Sequence, residues 1–164
     1  MRLERLRSAT LAILMMLSLF GNACRKRTTA ELGLGLVNAV REGSAGDVRD
    51  LIAEGASLSA RDENGELLWR VALEHYNRNV WDVLTESNID LSEADSTGSL
   101  AIHVATANGL ADAAERILKM NGGKLQLSAT GDTPLMSASR YGMAQTLKAI
   151  QPYFQTANER NRNG

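Results

Sequence analysis

Leu36, Trp69, Ile102 and Leu135 stand at a constant step of 33 residues. The same step joins Ala39, Ala72, Ala105 and Ala138, and it joins Gly65, Gly98 and Gly131. Seven positions after each apolar residue come Gly43, Tyr76, Gly109 and Gly142. A gap-free period of this length predicts one supersecondary unit laid down four times. A single such unit cannot bury its apolar face, so neighbours must stack and share one core.

The residue types within a period predict a pair of helices. In Ile102-His103-Val104-Ala105-Thr106-Ala107-Asn108-Gly109 the apolar residues share one helical face, and Gly closes the helix. Ala at the shared position lets a neighbouring helix come close. A second helix follows, as in Val80-Trp81-Asp82-Val83-Leu84 or Ala113-Ala114-Glu115-Arg116-Ile117-Leu118. Between units lie Asp62-Glu63-Asn64-Gly65, Asp95-Ser96-Thr97-Gly98 and Ala129-Thr130-Gly131-Asp132, which are rich in residues that favour turns.

Two segments carry a family likeness. Gly131-Asp132-Thr133-Pro134-Leu135 matches a G-x-T-P-L core, and Gly55-Ala56-Ser57-Leu58-Ser59-Ala60-Arg61-Asp62 matches a connector pattern. With Asn88-Ile89-Asp90-Leu91 and His103, they make the chain resemble ankyrin repeats over residues 34–155, in four units. The resemblance implies an all-α fold, an ankyrin-repeat solenoid of helix pairs with β-turn fingers. It also implies that His103 hydrogen-bonds turn backbone. The sequence departs from the pattern at Leu67-Leu68-Trp69-Arg70, at Tyr76 and at the connector Asn121-Gly122-Gly123-Lys124. The end units are expected to be atypical. Ser44-Ala45-Gly46-Asp47 stands at the first helix–helix junction, and Pro152 ends the last helix. The polar tail 156–164 is expected to fray.

The N-terminus has a different character. A basic run (Arg2, Arg5 and Arg7 against Glu4) precedes the apolar stretch Ala9–Phe20 and then Gly21-Asn22-Ala23-Cys24. This order reads as an export signal, too short to be a comfortable spanning helix. The chain's one Cys directly follows the small residues, which resembles the lipobox of bacterial lipoproteins, with Gly21 where those prefer Leu. The resemblance implies a signal peptide at 1–23, lipid on Cys24 and a tether at 24–33. The body would then face the periplasm from a cell-envelope membrane. Arg25 after the Cys favours the outer membrane; the alternatives are secretion or an uncleaved N-terminal anchor. Loss of the three arginines and Glu4 takes the net charge from −1 to −3.

No residue set for catalysis, cofactor or metal stands out. There is no G-x-S-x-G elbow, no phosphate loop around Gly33-Leu34-Gly35 or Gly122-Gly123-Lys124, and no calcium pattern around Asp90, Glu93 and Asp95. His75 and His103 are the only imidazoles, and the resemblance implies that Trp69 and Trp81 stand where the family buries Leu and Val. The charge balance disfavours nucleic acid. The expectation is therefore a non-enzyme whose function lies on a surface, with no cofactor.

The resemblance implies a concave face built from turn tips and first helices. Its tip residues would be Arg61, Asp62, Glu63, Asn64 and Glu66, then Asp95, Ser96, Thr97 and Ser99, then Thr130 and Asp132. Arg41, Glu74, His75, Asn108, Arg140 and Tyr141 would join them from the helices. Acidic residues outnumber basic ones in that set, which predicts a basic partner. Tyr141 and the arginines are the expected anchors. A protein partner is expected, a toxin or effector met by an immunity protein, or an envelope enzyme. The alternative is a scaffold subunit without inhibitory role.

Overall fold

The computed structural model describes residues 27–121 and 126–153. The export segment 1–23, Cys24, the Gly122-Gly123-Lys124 connector and the tail 156–164 lie outside the described residues. Among those described the secondary structure is all-helical. No helix there is long and apolar enough to cross a membrane.

The elements come in pairs. They are α1 (Thr29–Glu42) with α2 (Ala45–Ala53), α3 (Leu68–Glu74) with α4 (Arg78–Glu86), α5 (Ala101–Ala107) with α6 (Ala111–Met120), and α7 (Pro134–Arg140) with α8 (Ala144–Ile150). A short 3₁₀ turn at Gln151–Tyr153 follows α8. The first helices contact one another in the order α1, α3, α5, α7, and the second helices in the order α2, α4, α6, α8. The result is two parallel rows of short helices with the core between them. Leu36, Trp69 and Ile102 are fully buried in that core, and Ala39, Ala72, Ala105 and Ala138 lie buried beside them. Each large apolar side chain so buried is worth about 1.5–3 kcal/mol.

Local signals set the boundaries. Thr28 and Glu31 form a reciprocal cap at the start of α1. The Thr28 hydroxyl accepts from the Glu31 amide, and the Glu31 carboxylate accepts from the Thr28 amide at 2.7 Å. The helix therefore begins inside the segment read as a tether, and residues 29–33 belong to the folded body. The Thr-x-x-Glu spacing at 28–31 carried that signal. At its other end α1 stops at Gly43, whose φ of 75° is open to glycine and whose amide donates to the carbonyls of Ala39 and Val40. Gly109 ends α5 with φ 73°, and a Cβ there would lie 2.9 Å from the Met143 sulfur. At the corresponding place after α3 stands Tyr76, and no positive φ occurs there. The Tyr76 hydroxyl instead donates to Asp112 in the next pair at 2.8 Å. Burial and that carboxylate both push the phenol's pKa up.

Candidate functional site

The turns before α3, α5 and α7 share one construction. In each, a backbone N–H at the first residue donates to the carbonyl four positions on: Asp62 to Glu66, Asp95 to Ser99, and Ser128 to Asp132. The far side of each turn is tied to the side chain of its first residue. Asp62 Oδ1 accepts from the amides of Asn64 and Glu66, and Asp95 Oδ1 from those of Thr97 and Ser99. In the third turn the Ser128 hydroxyl takes this role, accepting from the Asp132 amide at 3.0 Å. No strand forms among the described residues. The backbone bridge Arg61↔Leu67 is as close as the first turn comes to a hairpin.

These bonds relocate three of the expected contact residues. The side chains of Asp62, Asp95 and Asp132 are only 6%, 1% and 3% exposed. Each lies under its turn against one guanidinium: Arg41 at 2.8 Å from Asp62, Arg70 at 3.4 Å from Asp95, and Arg140 forked onto both oxygens of Asp132. The aspartates build the turns and are not free tips. Amide donors and Arg41 hold the Asp62 carboxyl below its ordinary value, against a smaller opposing effect of burial. The three arginines, about a third to a half exposed, are what the face presents. The acidic lean read from the sequence is thereby reduced to Glu63, Glu66 and Glu74. Of these, Glu66 accepts from the Ser96 hydroxyl of the next turn.

The remaining candidates divide into two groups. Ser99, Asn108, Thr130, Asp132, Arg140 and Tyr141 are brought together on one groove of about 300 Å³. Arg41, Arg61, Asp62, Glu63, Asn64, Glu66, Glu74, His75, Asp95, Ser96 and Thr97 do not line it. Among these, Arg61 is tied to Glu93 and to the Gly65 carbonyl. Glu63, Asn64, Glu74 and His75 are exposed, as sequence position suggested. Tyr141 is 56% exposed, the most open of the large hydrophobic side chains among the described residues.

The groove also holds residues the sequence reading passed over: Arg70, Val104, Ala107, Ser128 and Ser137, together with His103. Arg70 stands one period before His103, and that register was the available signal. His103 is buried, with Nε2 3.0 Å from the Gln126 carbonyl and Nδ1 3.1 Å from the Ser137 hydroxyl. A carbonyl can only accept, so Nε2 carries the proton and Nδ1 accepts from Ser137. Burial lowers the imidazole's pKa, against the opposing pull of Gln126 and Asp132. A neutral ring with both nitrogens engaged fixes the next turn in place and has no lone pair left for a substrate.

A larger open groove of about 640 Å³ runs along α1 and α2 at the end of the stack. Gly35, Ala39 and Leu51 form part of its lining, with Glu31, Glu42, Asp47, Asp50 and Glu54 around them. None of the expected contact residues lines it. Arg27 reaches into it and donates to Glu54 at 3.2 Å. No family model matches the chain, and no curated protein matches it.

Proposed function

We propose that this chain is an ankyrin-repeat protein-docking module, held at a bacterial envelope membrane by lipid on Cys24. It acts by occupying a partner's surface and carries out no reaction of its own. The observation that carries the reading is the groove in which Arg70, Asn108, Arg140 and Tyr141 meet over turns of one construction. Rigid turns and short helices offer a preformed surface, which lowers the ordering cost of association. An exposed tyrosine among arginines is the composition found at energetic centres of interfaces. The anchoring half of the proposal rests on the sequence order of basic run, apolar stretch, small residues and Cys24.

Affinity capture from an envelope extract tests the docking half. The full chain should retain a stoichiometric partner that is lost with Tyr141→Ala and with Asn108→Arg, while both variants keep the helical dichroism of the parent. Capture indifferent to both substitutions would overturn the groove as the docking site. Cys24→Ser should move the protein from the membrane to the soluble fraction; continued membrane association counts against lipid anchoring.

A further inference from the structure

Arg70 differs from the other two arginines of this face in how little of its guanidinium is used. Arg140 commits both terminal nitrogens to Asp132, and Arg41 donates to Asp62 at 2.8 Å. Arg70 makes one ion pair, Nη1 to Asp95 Oδ2 at 3.4 Å, which is longer than a good charge-assisted hydrogen bond. Asp95 meets Arg70 through Oδ2 alone, because its other oxygen accepts from the Thr97 amide, the Thr97 hydroxyl and the Ser99 amide. A guanidinium carries five N–H donors in a planar fork. Most of those of Arg70 have no partner among the described residues. Its side chain is two-thirds covered and lines the groove.

The surroundings fit an anion. The lining carboxylate, Asp132, is matched by Arg140, and the Asp95 carboxylate lies beneath its turn. His103 is neutral and engaged on both nitrogens. The side-chain amide of Asn108, at the same groove, has no partner among the described residues and adds an uncharged donor. A planar fork with unfilled donors matches a carboxylate better than any other group a protein segment carries.

Resting on the docking reading above, we infer that the partner segment seated in this groove carries an Asp or Glu side chain whose carboxylate is received by Arg70. The face therefore selects an acidic segment, opposite in sign to the partner that a count of the sequence's charges predicts.

Selection of a random peptide library on the full chain tests this. Peptides that depend on Tyr141 should be enriched in Asp or Glu. Replacing that Glu by Gln in the peptide should weaken binding about tenfold, as should Arg70→Met in the protein. The two changes together should cost no more than either alone. The peptide substitution leaves the protein untouched, so the test holds even if Arg70→Met disturbs the turn. Peptides that need Tyr141 but are indifferent to Glu→Gln would overturn the inference and leave the docking groove standing. Acidic peptides indifferent to Arg70→Met would overturn it as well. Recovery of no Tyr141-dependent peptide would count against both proposals.

Discussion

His103 shows at the scale of one residue how burial turns a titratable group into a stability device. The unfolded imidazole titrates near pH 6.5, and the folded one lower, because burial disfavours its charged form. The unfolded chain takes up the proton first as the pH falls. The stability this site contributes is thus fully present above about pH 6.5 and is lost as the pH falls through the folded value. Urea unfolding at pH 7.5 and 5.5 should show that drop in the parent and a smaller one in His103→Gln; an equal drop in both would assign the effect elsewhere. Trp81 is a second case. It is buried, yet its indole N–H has no acceptor among the described residues. Trp81→Phe removes that orphan donor and should cost under about 1.5 kcal/mol, whereas Trp81→Ala should cost about 3–5 kcal/mol. Denaturation midpoints of the two variants separate packing from polarity. The core role of Trp69 was legible in its period, and that of Trp81 in the family likeness. A bond from His103 to turn backbone was expected only from the family likeness, and its second partner, Ser137, was not legible at all.

At the scale of the element, the turns before α3 and α5 are tied by side-chain bonds, whereas those two helices start without a side-chain cap. Asp95 holds two turn amides and a hydroxyl through one oxygen, and it is nearly inaccessible. Asp95→Ala strands those donors and leaves Arg70 without its counter-charge, so a loss of about 3 kcal/mol is expected. Thr133, which caps α7 by accepting from the Met136 amide at 3.2 Å, should cost about 1 kcal/mol on change to Ala. If chemical denaturation finds the cap to matter as much as Asp95, the turn is not the stiffer part. Helix positions were readable because apolar spacing and closing glycines are local signals. The part played by the turn aspartates was not, since charge counted along a chain carries no information on burial. Asp62 and Asp95 look like exposed tips in Asp62-Glu63-Asn64-Gly65 and Asp95-Ser96-Thr97-Gly98 until the amides that point at them are known. Arg70 was missed for the related reason that it reads as a break in a motif, and its reach to the following turn is a three-dimensional fact. The start of α1 at Thr29 was a misjudged boundary. The reciprocal Thr28–Glu31 cap sets that start, inside the segment read as a tether.

At the scale of the whole molecule, the main contacts of each pair among the described residues are with its neighbours, so stability is expected to vary along the stack. Ile150 is fully buried in α8, in the last pair, and Ile117 in α6, one pair inward. Ile150→Ala should speed amide exchange in α7 and α8 while leaving α3 and α4 protected. Ile117→Ala should raise exchange across the chain. A uniform response to both substitutions would mean that the stack unfolds as one unit. The layering of charge on the turn face has a consequence for how such a protein can change over time. Each of Arg41, Arg70 and Arg140 neutralises an aspartate that its turn cannot release, so exchanging one for an acidic residue strands a buried anion. Glu63, Glu74, His75, Asn108 and Tyr141 carry no such duty, for their side chains hold no hydrogen bond or ion pair among the described residues. If the groove docks a partner as proposed, a change of partner is therefore expected at Asn108 and Tyr141, the two of these that line it. On that reading the guanidiniums are fixtures of the fold that a partner must accommodate, Arg70 by the carboxylate it receives.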